Sequence, residues 1–293
     1  MLAQELPTPL TSKRDPHPDW PTPPGSDRLK RACDLLAGLA IAVVAVPVVA
    51  VAWAVVRLTS SGPGFYSQLR VGRNGRTFRI YKIRTMYHNC EAVSGARWST
   101  KHDPRVTPVG RVLRRLHVDE LPQLLNVLQG DMSLDGPRPE RPEFVGPLAE
   151  KIPGYAERLA VRPGVTGLAQ IQLPPDTDVE SVRTKLVLDR CYVRSRGIWL
   201  DVRIVLGTVV YLLGFSYHAV RKAVRLPNPL ADERAGRRPV HPACGPFRGT
   251  GAAAEPGRPA DGEGEPASAG EAPRTPRPAR ARTPDSERPT VAQ

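Results

Sequence analysis

The chain has 293 residues, a formal net charge of +13 and 33 prolines. That charge favours anionic partners, whether nucleic acid, anionic lipid or phosphorylated small molecules. The four cysteines, Cys33, Cys90, Cys191 and Cys244, form no C-x-x-C pair and have no histidines at ligand spacing, which argues against a zinc site and predicts reduced thiols in a cytosol-facing protein.

Residues 1–26 and 228–293 are rich in Pro, Gly, Ala and charge and lack regularly spaced apolar residues, so both are expected to be disordered. Arg274, Arg277, Arg280 and Arg282 in the tail read as solvated charge. No cleavable signal peptide is expected, because the first apolar run begins only after a long Pro-rich leader.

That run, Leu35 to Val56, holds no charged residue over roughly 22 positions, long enough for a bilayer core. Residues 27–58 are therefore predicted to insert in a membrane. Pro47 removes a backbone donor near the middle, so the helix is expected to bend there. Cations flank both ends: Arg28, Lys30 and Arg31 before the run, Arg57, Arg70, Arg73 and Arg76 after it. A helix entering and leaving by one leaflet places both flanks on the cytoplasmic side; a straight span with a kink remains the alternative.

Residues 59–227 form the predicted folded domain. Phe65–Val71 and Phe78–Thr85 flank Asn74-Gly75, the signature of a β-hairpin. Phe78, Ile80, Lys82 and Arg84 share one face of the second strand, so its cationic end either reaches a ligand or is solvated. Gly110–Leu116 reads as a helix with Arg111, Arg114 and Arg115 on one face, awaiting an anion or exposed to water.

The next helix is expected to begin near Asp119, with Leu121, Leu124, Leu125 and Leu128 as its apolar stripe, Pro122 in its first turn and Gly130 at its end. Asp119 then sits at or beside the N-cap. Capping is one role for it; the other is chemistry, since a helix N-terminus keeps a carboxylate ionised and favours a bound phosphate. Prolines 137 and 139 stiffen Arg138, which lowers the entropy lost when it binds an oxyanion. Gly136–Pro139 and Arg162–Gly167 read as loops. Trp199–Tyr217, followed by Arg221 and Lys222, suits an amphipathic helix in a membrane interface, with a core helix as the alternative. No P-loop, G-x-G-x-x-G or G-x-S-x-G occurs, which argues against common nucleotide and serine hydrolases. The fold class expected is α+β: a mostly helical cytosolic domain with a β-hairpin, a proline-broken re-entrant membrane helix and amphipathic interfacial helices.

Several segments resemble, in order, the bacterial sugar transferases, the monotopic polyprenyl-phosphate phosphoglycosyl transferases. They are KRACDLLAGLA (30–40), GPGFYSQLRVGRNGRTFRIYKIRTM (62–86), DPRVTPVGRVLRRLHVDELPQLLNVLQGDMSLDGPRP (103–139), RPGVTGLAQ (162–170), LDRCYV (188–193) and WLDVRIVLGT (199–208). The resemblance implies transfer of a sugar-1-phosphate from a UDP-sugar to polyprenyl (undecaprenyl) phosphate through a phosphosugar on an aspartate, with UMP as by-product. It implies Asp119 as nucleophile and Glu120 as its acidic partner, both candidate ligands of a required Mg²⁺. It implies substrate binding by Lys82, Arg114 and Arg138, with Arg162 in a matching loop, and favours the re-entrant form of the helix; Arg84, on the strand face of Lys82, is a further candidate for substrate binding. The expected setting is the cytoplasmic face of the cell membrane, early in exopolysaccharide or glycoconjugate assembly. The expected partners are membrane lipid and downstream glycosyltransferases, not nucleic acid. A scaffold that kept the fold without the chemistry, and a tethered nucleic-acid binder using the tail, are the competing readings.

Three positions depart from the family pattern. Val46 stands where Ser often precedes the proline, Asp135 where an apolar residue precedes Gly136, and His117-Val118 where Ser-Leu precedes the dyad. None removes a catalytic group.

Overall fold

A computed structural model describes residues 26–95, 97–100 and 102–230. The expected leader, except Ser26, and the expected tail beyond Leu230 lie outside the described residues. The described chain is mixed and mostly helical, with one long apolar helix at its start.

That helix, α1 (Ser26–Thr59), runs 34 residues as one element through Pro47. The expected break is therefore not a helix end: proline costs one backbone hydrogen bond and a local clash, and the turns on either side continue. Asp34, Gly38, Ala45, Ala52 and Val56 are buried in a stripe at three- and four-residue spacings or their sum, while Leu36, Leu39, Val43, Val44, Val51 and Leu58 on other faces are exposed.

β1 (Phe65–Val71) pairs antiparallel with β2 (Thr77–Ile83), from Phe65 opposite Ile83 to Val71 opposite Thr77. The turn between them is the expected one: Asn74 and Gly75 take positive φ of 56° and 74°. Phe78 and Ile80 point inward, where they meet Ala45 of α1 and Leu124 and Val127 of α4 (Gln123–Gln129). Asn126 of α4 is fully buried and completes the free edge of β2. Its Oδ1 accepts from Tyr81 N at 3.2 Å and its Nδ2 donates to Arg79 O at 2.8 Å.

After the single turn α2 (Glu91–Ser94), α3 (Pro108–Arg115) opens on Thr107, whose hydroxyl accepts from Gly110 N at 2.9 Å. A Cβ on Gly110 would lie 2.0 Å from Thr85 O, so only glycine lets α3 seat against the end of the hairpin. β3 (Ser133–Asp135) lies parallel to β4 (Gly164–Thr166). Three glycines make this approach: Cβ atoms on Gly136, Gly164 and Gly167 would fall 2.5 Å or less from backbone atoms of the opposite segment. The two loops seen in the sequence are thus one structure, with Gly136 N donating to Thr166 O at 3.0 Å and Gly164 N to Pro137 O at 3.0 Å.

α5 (Pro142–Lys151), α6 (Val179–Ser195), α7 (Ile198–Leu212) and α8 (Tyr217–Ala223) complete the domain. A capping box of Asp178 and Ser181 starts α6. Leu188, Tyr192, Leu200, Ile204 and Val220 form its core with Leu168 and Ile171, and Leu226 and Leu230 pack onto that core, carrying the fold past residue 227. The single interfacial helix expected over 199–217 is two helices, parted at Gly214 with φ 89° and restarted by the Ser216 cap. The apparent polar flaws in that stretch are satisfied internally. Arg203 Nε donates to Val224 O at 2.7 Å, and Asp201 accepts from Tyr192 Oη at 2.9 Å. Cys33 is an exposed free thiol, in keeping with the reduced cysteines expected from the sequence.

Candidate active site

The chain reverses just before the acidic pair. His117 takes the left-handed conformation (φ 54°, ψ 18°), and Val118–Glu120 follow as a tight 3₁₀ turn. Asp119 is therefore not the N-cap expected from the sequence. Pro122 occupies that position, α4 begins at Gln123, and the acidic pair lies in the turn before it.

Glu120 is held by two cations. Lys82 Nζ donates to its Oε1 at 2.6 Å, and Arg138 Nη2 donates to the same oxygen at 2.8 Å, with Arg138 Nη1 at 3.4 Å from Oε2. Burial alone would push this carboxyl up; the charges and hydrogen bonds of Arg138 and Lys82 outweigh it and hold Glu120 well below the usual carboxylate range. Asp119 is buried, and among the described residues no group donates a hydrogen bond to its carboxylate. Its pKa is raised by burial and by the neighbouring charge of Glu120, with Lys82, Arg114 and His117 pulling the other way. Two adjacent acids are thus driven apart, one fixed as an anion and the other left open and more basic.

Both face a cavity of about 1100 Å³. Lys82, Arg84, Arg114, Arg138, Asp119 and Glu120 all line it. Arg114 is the one member of its arginine trio turned inward, with Nε donating to Thr85 Oγ1 at 2.8 Å and Nη1 to Ser99 Oγ at 3.0 Å; Arg111 and Arg115 are exposed. Arg138 is braced as its flanking prolines suggest. Its carbonyl accepts from Arg158 Nη2 at 2.9 Å, and the carbonyl of Pro139 accepts from Arg70 Nη1 at 3.1 Å.

Two predicted substrate cations are committed elsewhere. Arg84 donates to Pro63 O and Ser61 O at 2.6 Å each and to Ser60 O and Oγ at 3.0 Å, tying down the carbonyls that follow α1. It borders the cavity with four of its five N–H donors already used. Arg162 does not line the cavity; its Nε donates to Gly130 O at 3.0 Å, at the C-terminus of α4. Both are arginines in matching motifs, and only the fold reveals that their targets are backbone carbonyls.

Gln170 was missed. Its Oε1 accepts from Arg138 Nη1 at 3.0 Å, and its Nε2, buried in the lining of the cavity, has no partner among the described residues. It lies in RPGVTGLAQ, but an uncharged amide between apolar residues gives no signal of its own. Arg70 and Arg141, half-buried in the cavity lining, were also not singled out as site residues.

A second polar cluster lies behind the site. Lys30 Nζ is 3.0 Å from Asp34, 3.5 Å from Asp135 and 3.2 Å from Asp201. Asp34 also accepts from Ser133 Oγ at 2.8 Å and Leu134 N at 3.2 Å. Burial pushes the Asp135 carboxyl up to about 8; Lys30 opposes this, and the carboxylates of Asp201 and Asp34 add to it.

The sequence profile of the bacterial sugar transferases matches residues 25–214, which contain every element from α1 to α7 and the acidic pair with its surrounding cations. The chain belongs to the bacterial sugar transferase family. Similar members include a UDP-N-acetylgalactosamine-undecaprenyl-phosphate N-acetylgalactosaminephosphotransferase from Aeromonas hydrophila, 43% identical over 64% of this chain and 44% of the relative. A UDP-glucose:undecaprenyl-phosphate glucose-1-phosphate transferase from Caulobacter vibrioides is 42% identical over 64% of this chain and 70% of the relative. An exopolysaccharide production protein of Rhizobium leguminosarum bv. phaseoli is 41% identical over 62% of this chain and 94% of the relative. The chain thus spans less than half of the first of these and nearly all of the last.

Proposed function

We propose that this family member transfers a sugar-1-phosphate from a UDP-sugar to undecaprenyl phosphate, in an early step of polysaccharide or glycoconjugate assembly. The observation that carries the reading is the open, buried carboxylate of Asp119 beside the Lys82–Glu120–Arg138 cluster in one large cavity. The named activities of the Aeromonas and Caulobacter relatives point the same way.

In this mechanism an Asp119 oxygen attacks the phosphorus that carries the sugar. The bond from that phosphorus to the bridging oxygen breaks, and UMP leaves with the electron pair. A phosphate oxygen of the polyprenyl phosphate then attacks the same phosphorus, the bond to Asp119 breaks, and the carboxylate is regenerated. A carboxylate is a weak nucleophile, so freedom from hydrogen bonds and a raised pKa both favour it. Arg138 and Arg114 present fixed positive charge to an anion arriving in the cavity, where low dielectric strengthens the attraction. Glu120 keeps Lys82 and Arg138 in place.

Mg²⁺ fits this donor set in part. It needs only one or two protein carboxylates, and Asp119 is available, whereas both oxygens of Glu120 already face cations. When bound with the diphosphate, the ion would supply Lewis-acid neutralisation of its charge.

The reading extends to placement. We assign the domain to the cytoplasmic face of the membrane, with α1 re-entrant. The buried stripe from Asp34 to Val56 supports this, since a perpendicular span would carry the middle of the helix away from a domain in water. The exposed apolar row of Trp199, Val202, Leu206 and Val209 on α7, continued by its C-cap Leu213, suits contact with the same interface.

The test is purified protein in detergent with UDP-sugars, undecaprenyl phosphate and Mg²⁺, following UMP release. Release that disappears in Asp119→Asn supports the mechanism; release unchanged by that substitution removes Asp119 from it.

A further inference from the structure

The cavity lining is of two kinds. One part is charged and holds Asp119 and its cations; the other is apolar, with Ile41 of α1, Leu124 of α4, Leu134 of β3, and Val205, Val209 and Leu212 of α7. On α7 Val205, Thr208, Val209 and Leu212 recur at i, i+3, i+4 and i+7, so one helical stripe lines the cavity, with Tyr211 beside it.

This apolar wall does not stop at the cavity mouth. Val209 also belongs to the exposed apolar row of α7, and Leu212 beside it is exposed. On α1, Ile41 is exposed and continues one and two turns on into exposed Val44 and Val48. Two helices therefore carry an apolar surface from outside the domain, past Ile41 and Val209, toward the acidic pair. A nucleotide sugar has nothing to gain from such a surface; a branched hydrocarbon chain attached to a phosphate does.

We infer that the isoprene units nearest the phosphate of the polyprenyl acceptor lie between α1 and α7, along Ile41, Leu134, Val205 and Val209, so that the lipid enters sideways and its phosphate reaches Asp119 from the apolar end. The inference rests on the transferase reading and adds to it the binding site of the lipid. The nucleotide sugar then occupies the opposite, charged end, and the two substrates meet at the carboxylate without crossing.

The test uses the full chain in detergent. Exchange of labelled UMP into UDP-sugar without lipid reads the first step; the KM for undecaprenyl phosphate reads the second. Val209→Asp is expected to leave exchange within about twofold and to raise the lipid KM about tenfold or more, by placing a charge on the wall. The isosteric Val205→Thr is expected to do the same more weakly and guards against misfolding. A polyprenyl phosphate with a photoreactive group in its first isoprene units should label unmutated protein within 41–48 or 205–213. Intact exchange with an unmoved lipid KM in both variants overturns the inference alone, and so does labelling confined to other segments. Equal labelling by a photoreactive phosphatidic acid also overturns it, marking the groove as a general lipid contact. Absence of exchange in the unmutated protein overturns the transferase reading itself.

Discussion

Lys82 and Glu120 meet at 2.6 Å across the gap between the hairpin and the turn before α4. Lys82 is a half-buried cation whose pKa is lowered chiefly by burial, with Glu120 pulling against that shift. Its anion is supplied by the protein, so Glu120 serves as the strut that keeps Lys82 and Arg138 converged. Glu120→Gln should leave two partly buried cations without their counter-ion. We expect a stability loss of about 2 kcal/mol, discounted for the exposure of Arg138, and a fall in kcat/KM of about 100-fold. Thermal melts and UMP release measure the two effects separately.

The raised pKa of Asp119 sets a pH dependence. Its carboxylate must be ionised to attack, so activity should fall with decreasing pH at a higher value than for an ordinary aspartate. The neighbouring charge of Glu120 is one cause of the shift. In Glu120→Gln the acid limb of the residual UMP exchange should move to lower pH. A limb that stays in place would separate Asp119 from the titrating group.

Arg84 and Arg162 give the opposite expectation to Arg138. Arg84→Met removes donors from the carbonyls of Ser60, Ser61 and Pro63 and should cost about 1–3 kcal/mol of stability. The KM for UDP-sugar should change by no more than about twofold. Arg162→Met should behave likewise through α4, while Arg138→Met should depress kcat/KM. A large KM effect in Arg84→Met with unchanged melting would restore it to the substrate site.

Asp135 should make folding sensitive to alkali. Its folded pKa of about 8 lies above the ordinary aspartate value of 3.8, so the folded state holds a proton that the unfolded chain releases. The stability this gives is fully present below the unfolded pKa and is lost as pH rises toward 8, at a slope approaching about 1.4 kcal/mol per pH unit. Asp135→Leu should flatten the profile between pH 5 and pH 8 (roughly the window in which the slope applies). Melting temperatures of both proteins across that window decide it.

The sequence was most readable where a local rule operates alone. Asn74-Gly75 set the hairpin turn, Gly130 ended α4 with φ 94°, and the uncharged run marked α1. The acidic pair and Arg138 were also legible, because charge clustered in the chain stays clustered in space. What escaped were relations between distant segments. Whether an arginine reaches a substrate or a carbonyl depends on where another element ends, as Arg84 and Arg162 illustrate. The start of α4 was misplaced because Pro122 fits both the first turn and the cap, and the left-handed His117 shows only in the fold, since histidine is enriched in that conformation yet adopts it in a minority of cases. The mating of Gly136 with Gly164 and Gly167 needed the parallel pairing of β3 and β4, for which two three-residue strands leave almost no pattern.

Arg31 of α1 donates to Val127 O and, at 2.9 Å, to Leu128 O, closing the end of α4, while Arg84 of the hairpin closes the end of α1. Each part is finished by a side chain borrowed from the other, and Ala45, Ala52 and Val56 fill the interior of the domain. Amputating the first helix to obtain a water-soluble enzyme would therefore unplug the segment that follows the acidic turn and bare the hairpin's inner face. The greasy helix is a wall of the building rather than its mooring rope, and detergent rather than truncation is the route to a working preparation.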